Sequence, residues 1–438
     1  MLLSFTVENF RSIKNSLAFS MIPTSYKELE DSGNIREVTK SVKITTVAAI
    51  YGANSSGKSN FIRAMGAMRR IILTSIKLNA SEDLPADPFV LDDKSPTRPT
   101  TFEAKFFSNQ RTYRYGFTFN SKEIIKEWLY ETAKVKEHIL FIRENGNITI
   151  GKKFEEGEGK IELTAKNRLF LSLVSQLNGK VSKQIIEWFQ HFNNISGLNN
   201  ENFRDFSIDL LLRKDRESKA AMNFLKQMDL GFSDLKPIEQ NLDESFFPPD
   251  MPIKLKESIL KQHANEKVLF LESKHKIHRN DGTTTEKFFQ FDDMESDGTL
   301  KIFDLSGPLI NTLLHGYTLV VDELDAKLHP LLTRRIVKIF NSPKGNPNNA
   351  QLIFATHDTN LLDVNLLRRD QIWLTKKNKD DETTSLKQLS EILIYDKEKR
   401  EEKKVRNDRI FEKDYLSGDY KAIPDITEDF DLAKALQD

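Results

Sequence analysis

The sequence predicts an α/β fold, a mixed sheet flanked by helices with an inserted α+β domain. Three observations predict it. Residues 44–51 are β-branched and nearly continuously apolar, as in a strand buried on both faces. A glycine-bounded loop follows, and then Phe61, Ile62, Met65, Met68, Ile72 and Ile76 recur at helical spacing. Far downstream, two further apolar strands at 319–323 and 351–356 lie within helix–strand patterning that runs from 297 to 375.

The remaining elements follow in order. Leu3, Phe5 and Val7, then Phe10, Ile13, Leu17 and Phe19, alternate as a hairpin or two short strands. A loop rich in Asp and Pro covers 81–100, and 101–107 and 111–119 alternate as two strands around Ser108-Asn109-Gln110. Their aromatic residues (Phe102, Phe106, Phe107, Tyr113, Tyr115, Phe117, Phe119) could stack bases, but such alternation favours core packing. Strand-like pieces run to about 165 and a helical stretch to about 230; 268–271 and 287–291 then flank an Asn280-Asp281-Gly282 turn. His275 and His278, three apart in a strand, face opposite ways and read as structural. The mixed charge run at 396–404 reads as a solvated helix face or a linker. The expected division is 1–90 and 291–395 for the two parts of one head, 91–290 for the insert, and 396–438 for a charged tail.

Composition narrows the class. A chain of 438 residues, 38% hydrophobic, has material for two to three domains with sizeable cores. A net charge of +0 gives no global attraction to nucleic acid or anionic membrane, which leaves only a local basic face for nucleic acid. With 0 cysteines, disulfides and thiolate metal sites are excluded. No apolar run approaches the ~20 residues that span a bilayer, and the first residues lack the plan of a signal peptide. A cytoplasmic protein without a membrane partner is expected.

The chemistry concentrates in Gly52-Ala53-Asn54-Ser55-Ser56-Gly57-Lys58-Ser59, a G-x-x-x-x-G-K-S loop between a buried strand and an amphipathic helix. Its backbone N–H groups and the helix N-terminus favour phosphates. Lys58 suits the β/γ-phosphates of ATP, Ser59 suits Mg²⁺, and Asn60 follows in the first helical turn. The strand at 319–323 ends in Asp322 and Glu323. An acidic pair at a strand end is common on surfaces; beside a P-loop, Asp322 becomes a Mg²⁺ ligand and Glu323 a base for the attacking water. The strand at 351–356 ends at His357, placed to donate to the γ-phosphate. Ser296 and Gly298, before the apolar helix of Leu300, Ile302, Phe303 and Leu305, read both as an N-cap and as a second anion-binding end.

Asn54, Asp322-Glu323-Leu324-Asp325 and His357 resemble an ABC-type ATPase head of the SMC-like branch. The resemblance implies that Asp325 is the D-loop residue and His357 the switch histidine. It makes Ser296-Asp297-Gly298 a degenerate signature reaching the γ-phosphate of another subunit, so hydrolysis needs a homodimer or higher homo-oligomer. Asn9-Phe10-Arg11-Ser12 resembles the N-terminal element whose basic residue, Arg11, approaches the nucleotide, and Phe89 stands where a Q-loop glutamine would fall. More narrowly, the chain is similar to AAA-type ATP-binding proteins of bacterial abortive-infection and other anti-phage systems. That likeness rests on Tyr113-Arg114-Tyr115-Gly116-Phe117, Leu328-His329-Pro330, Leu367-Arg368-Arg369-Asp370-Gln371-Ile372-Trp373 and the segment 412–424. The last departs at Asp419 and Lys421, where a basic residue and a glycine are usual. What this implies is an ATPase that senses infection and regulates a partner effector, a nuclease or toxin. The alternative is a DNA-binding recombination or repair ATPase, against which the +0 charge and the lack of sustained heptads weigh. A transporter ATPase subunit would need a membrane protein docking on the insert.

Overall fold

Residues 1–20 fold as their alternation predicts, with β1 (Leu2–Glu8) and β2 (Leu17–Ser20) pairing antiparallel. The computed structural model describes residues 1–133, 136–198, 203–244, 247–248, 250–263, 267–396 and 401–424; positions 397–400 of the charge run and 425–438 of the tail lie outside them. A small hairpin, β3 (Ile35–Thr39) with β4 (Val42–Thr45), leads to β5 (Val47–Tyr51), buried at every position, and on to α1 (Lys58–Thr74). Next come β6 (Thr100–Ser108), β7 (Arg111–Phe119), β8 (Ile124–Thr132), β9 (Glu137–Glu144) and β10 (Asn147–Ile150), each after β6 antiparallel to the one before.

Helices α2 (Phe170–Gln176) and α3 (Lys180–Gln190) precede β11 (Phe192–Ser196), and α4 (Arg204–Leu212) and α5 (Arg216–Lys226) follow it. Then come β12 (Asp234–Asn241), α6 (Ile253–Gln262), β13 (Lys267–His278) and β14 (Thr284–Gln290). The chain continues through α7 (Phe291–Met294), α8 (Asp297–His315), β15 (Thr318–Asp322), α9 (Pro330–Asn341) and β16 (Gln351–Ala355). It closes with β17 (Ile372–Lys377), β18 (Thr384–Gln388), β19 (Leu393–Asp396), β20 (Glu401–Lys404) and α10 (Phe411–Leu416).

Two large sheets result. One is antiparallel with order β10-β9-β8-β7-β6-β1-β2; the other runs β11-β15-β16-β5-β17-β18, parallel except for β18. The parallel sheet is the middle layer, because alternate side chains of β5 enter different cores. Ala48 and Ile50 join α1, α2, α3 and the antiparallel sheet, while Val47, Ala49 and Tyr51 join α8 and α9. Gln351 fastens the two sheets: its side chain accepts from Leu2 N–H at 2.6 Å and donates to Leu2 C=O at 2.9 Å. The aromatic strands are core, with Phe102, Phe106, Phe117 and Phe119 fully buried.

The segment 91–290 contributes to both large sheets, β6 pairing with β1 and β11 with β15, and only β12-β13-β14 form a sheet of their own. Two local expectations are corrected. The stretch predicted as helical to about 230 is broken by β11, which pays for its polar sequence by pairing with β15 at the sheet edge. The charge run contains β20, paired with β19, rather than a helix face. The tail beyond it folds: Phe411, Tyr415, Tyr420 and Ala422 are buried in the α8/α9 core.

Candidate functional site

The phosphate loop is built by its neighbours. Gly52 (φ +153°) and Gly57 (φ +104°) hold backbone that L side chains rarely adopt; a Cβ would lie 2.3 Å from Thr375 Oγ1 at the first and 2.1 Å from Thr384 Oγ1 at the second. Ser56 turns inward to Thr375 Oγ1 at 2.6 Å, and Thr375 donates to Tyr51 C=O at 3.1 Å, so β17 props the loop from below. Helix α1 starts at Lys58 with no side-chain cap. Its first amides are therefore left for an anion, as a nucleotide phosphate requires.

Lys58 lies across the loop, donating to Gly52 C=O at 2.8 Å and Ala53 C=O at 3.1 Å. Burial pushes its ammonium down to about 8, against the pull of Asp322, Glu323 and Asp325. Ser59 donates to Asp322 Oδ1 at 3.1 Å, which sets a hydroxyl and a carboxylate side by side, a donor pair that fits Mg²⁺. Burial raises the Asp322 carboxyl above its usual range, with Ser59, Arg63 and Lys58 opposing. His357 lies just past β16, its backbone N–H donating to Asp325 Oδ2 at 3.2 Å. Burial, with Lys58 second, lowers its imidazole below the usual value, which favours the neutral ring with one N–H to give.

Residues 54–60, Ser12, Leu91, Glu323, His357, Lys377 and Glu382 line one cavity of about 600 Å³. That size suits a nucleotide. A second cavity of about 470 Å³ adjoins it behind Ala53 and Asn54, walled by 375–379 and 421–424. Ser12 accepts from Asn60 Nδ2 at 2.8 Å and bonds Thr384 Oγ1 at 2.8 Å, locking the N-terminal segment to α1 and β18. Arg11 lies outside the cavity, its Nε 2.6 Å from Asp87. Asp325 Oδ1 is buried without a hydrogen-bond partner. Phe89 packs in the core, its N–H donating to Asn9 Oδ1 at 3.2 Å.

Ser296 and Gly298 are not brought to this cavity. Ser296 caps α8, its Oγ accepting from Thr299 N–H at 3.3 Å, and it is exposed. His275 and His278 have separate partners, Glu295 at 2.8 Å and Thr284 at 3.4 Å. Sequence reasoning missed Lys301, which reaches the turn after β15, and Gly197, which packs on the same turn. The available signal for Lys301 was a charge among the apolar residues of the run 300–305, which also holds Asp304. Leu367–Trp373 carries no site chemistry: Arg368 and Asp370, both fully buried, pair at 2.7 Å and tie the N-terminal segment through Thr24. Among the described residues no helix is long and apolar enough to cross a membrane.

A phosphate loop between a buried parallel strand and its helix, facing a strand-end Asp-Glu pair and a strand-end histidine, defines the P-loop nucleotide-binding ATPase class. Within that class, residues 47–363 match the family described as "AAA domain, putative AbiEii toxin, Type IV TA system", and the chain belongs to it. This is the family the motifs implied. No curated protein matches the sequence. Among solved structures, the chain is similar to the Smc head domain with an extended coiled coil, bound to the C-terminal domain of ScpA, from Pyrococcus furiosus. Identity there is 13%, TM-score 0.34, over 88% of this chain and 95% of that one. It is also similar to the recombination mediator RecF with ATP, of the RecFOR pathway, at 14% identity and TM-score 0.28, over 81% and 93%. At those scores the fold assignment rests on the topology described above.

Proposed function

We propose that the chain binds ATP with Mg²⁺ and hydrolyses it at a site completed by a second copy, and that this cycle holds or releases a partner effector, a nuclease or toxin, in anti-phage defence. One observation carries the composite-site reading. The loop, Glu323 and His357 line one cavity, with Asp322 bonded to Ser59 at its wall, while Ser296 stands exposed at the N-terminus of α8 outside it. In this reading Ser59 and Asp322 hold Mg²⁺, which neutralises phosphate charge when bound. Lys58 leaves the loop carbonyls for the β/γ-phosphates, Glu323 takes a proton from water, and His357 gives its N–H to the γ-phosphate. Ser296 and Gly298 of one copy, with Asp325 at the joint, close the site of the other. Residues 1–90 and 291–395 form the head, 91–290 completes its sheets and carries β12–β14, and 396–438 is the tail.

The defence role draws support from the family's description, which links its AAA domain to the AbiEii toxin of a Type IV TA system. The test is Glu323→Gln. Its turnover should fall by ~10²–10⁴, and ATP should trap it as a dimer that binds the neighbouring gene's product, measured as mass in solution. A variant that stays monomeric with ATP and binds no partner defeats the proposal.

A further inference from the structure

The first turn of α8 and the turn after β15 are joined by more than packing. Lys301 is fully buried, and its Nζ donates to Glu323 C=O at 3.1 Å and Ala326 C=O at 2.6 Å. Asp297 pairs with Lys327 at 3.1 Å. Gly298 approaches so closely that a Cβ would stand 2.8 Å from Lys327 C=O. The turn itself has Glu323 at φ +59° and Lys327 at φ +60°, left-handed backbone that bonds from outside must hold. Ile302, Phe303 and Leu305 beside Lys301 on α8 are buried and apolar, and the buried Asp304 among them is held by Arg204 at 2.9 Å, so a leucine or methionine at 301 would bury no new charge. Burial lowers the ammonium to about 8, while Asp325 and Glu323 favour its charged form.

We infer that Lys301 is a positioning residue that couples the Ser296 end of α8 to Glu323 of its own chain, so that engagement of Ser296 by the nucleotide of a second copy sets the glutamate in the first. The inference rests on the composite-site reading. α8 acts as a rod: Ser296 caps it, Lys301 lies one and a half turns further on, and the two carbonyls it holds belong to the segment that carries Glu323. Each copy then becomes competent only when its own α8 is engaged, which makes the two sites fire together.

Mixed dimers test the direction of the coupling. A Lys301→Met chain is combined with a Glu323→Gln chain, so the sole remaining glutamate sits in the chain lacking Lys301. Coupling within the chain predicts no turnover from the mixture. If Lys301 only shaped Ser296 for the opposite site, one site per mixed dimer would work and about a quarter of wild-type turnover would appear, which overturns the inference. In the homodimer, Lys301→Met should cut turnover by about 30-fold or more with ATP affinity within about threefold, and Lys301→Arg should restore most of the loss. Hydrogen exchange separates this inference from the reading beneath it and needs only the wild type. ATP should slow exchange in 297–301 and 323–327 together. If those segments respond independently, the coupling is wrong whatever the hydrolysis rate. If they respond together and no ATP is hydrolysed, the coupling stands and the ATPase reading falls.

Discussion

Gly197 shows how a single missing side chain fixes the reactive end of the site. Its N–H donates to Asp322 C=O at 2.6 Å, and a Cβ would stand 2.1 Å from Glu323 C=O and 2.8 Å from Asp322 C=O. Those neighbours are backbone and cannot rotate away. Gly197→Ala therefore displaces the end of β15, a local strain of ~1–3 kcal/mol. The expected result is ATP turnover reduced about tenfold or more, with Mg-nucleotide affinity changed by less than about threefold. Equal losses in both would show that the loop, not Glu323, had moved. The residues 52–60 were legible because a phosphate loop concentrates glycines and one lysine in a short string with a fixed chemical purpose. Gly197 and Lys301 were not, since each acquires its role from a carbonyl on a distant segment. Of Arg11 and Ser12, both singled out by the resemblance, Ser12 lines the cavity while Arg11 pairs with Asp87.

Elements with strong periodicity were legible and edge elements were not. β5, β15 and β16 announce themselves by unbroken apolar sequence, as both faces meet a core. β11, Phe-Asn-Asn-Ile-Ser, hides because its polar positions serve specific contacts; Asn194 donates to Ile62 C=O of α1 at 2.8 Å and packs on Gly66. In the antiparallel sheet, one arginine on β7 spans four strands. Arg114 bonds Glu103 of β6 at 2.9 Å and both oxygens of Glu137 on β9 at 2.9 and 2.7 Å, and lies 4.0 Å over the Tyr130 ring of β8. Arg114 holds the Glu137 carboxyl below the ordinary glutamate range. The unfolded chain then binds more protons than the folded one between the two values, so stability rises with pH across that window. The contribution is complete above the usual glutamate value of about 4.3 and is lost as pH falls through the lowered folded value. Thermal unfolding of Glu137→Gln against wild type should show its largest deficit near about pH 6 and a closing gap toward about pH 3. A deficit that is the same at both would assign the loss to packing.

Across the molecule, the C-terminal segment returns to where the chemistry begins. The ring of Tyr415 on α10 meets that of Tyr51 at 5.7 Å, and its phenol reaches the Gly52 backbone. Glu412 accepts from Thr359 at 2.7 Å, just past His357. Both ends of the parallel-sheet site are thus clamped by one short element, whose burial the charged sequence around it concealed. Among the described residues, Ser296 and Gly298 lie outside the cavity, and this sets the last prediction. A Ser296→Arg chain blocks its partner's site, and a Glu323→Gln chain disables its own. Each homodimer should be inactive. Mixed one to one, half of the dimers are mixed, and each has one site that pairs an intact Glu323 with an intact Ser296 from the other copy. Independent sites would then return about a quarter of wild-type ATP turnover, whereas coupling through Lys301 predicts a silent mixture, because the intact glutamate sits in the chain whose own α8 carries the arginine. The Lys301→Met mixture should be silent for the same reason: in both mixtures the chain that keeps Glu323 has lost the link from its own α8 to the carbonyl of that glutamate. A quarter of wild-type turnover from Ser296→Arg with Glu323→Gln would instead keep the composite site and overturn the coupling of α8 to Glu323 within one chain.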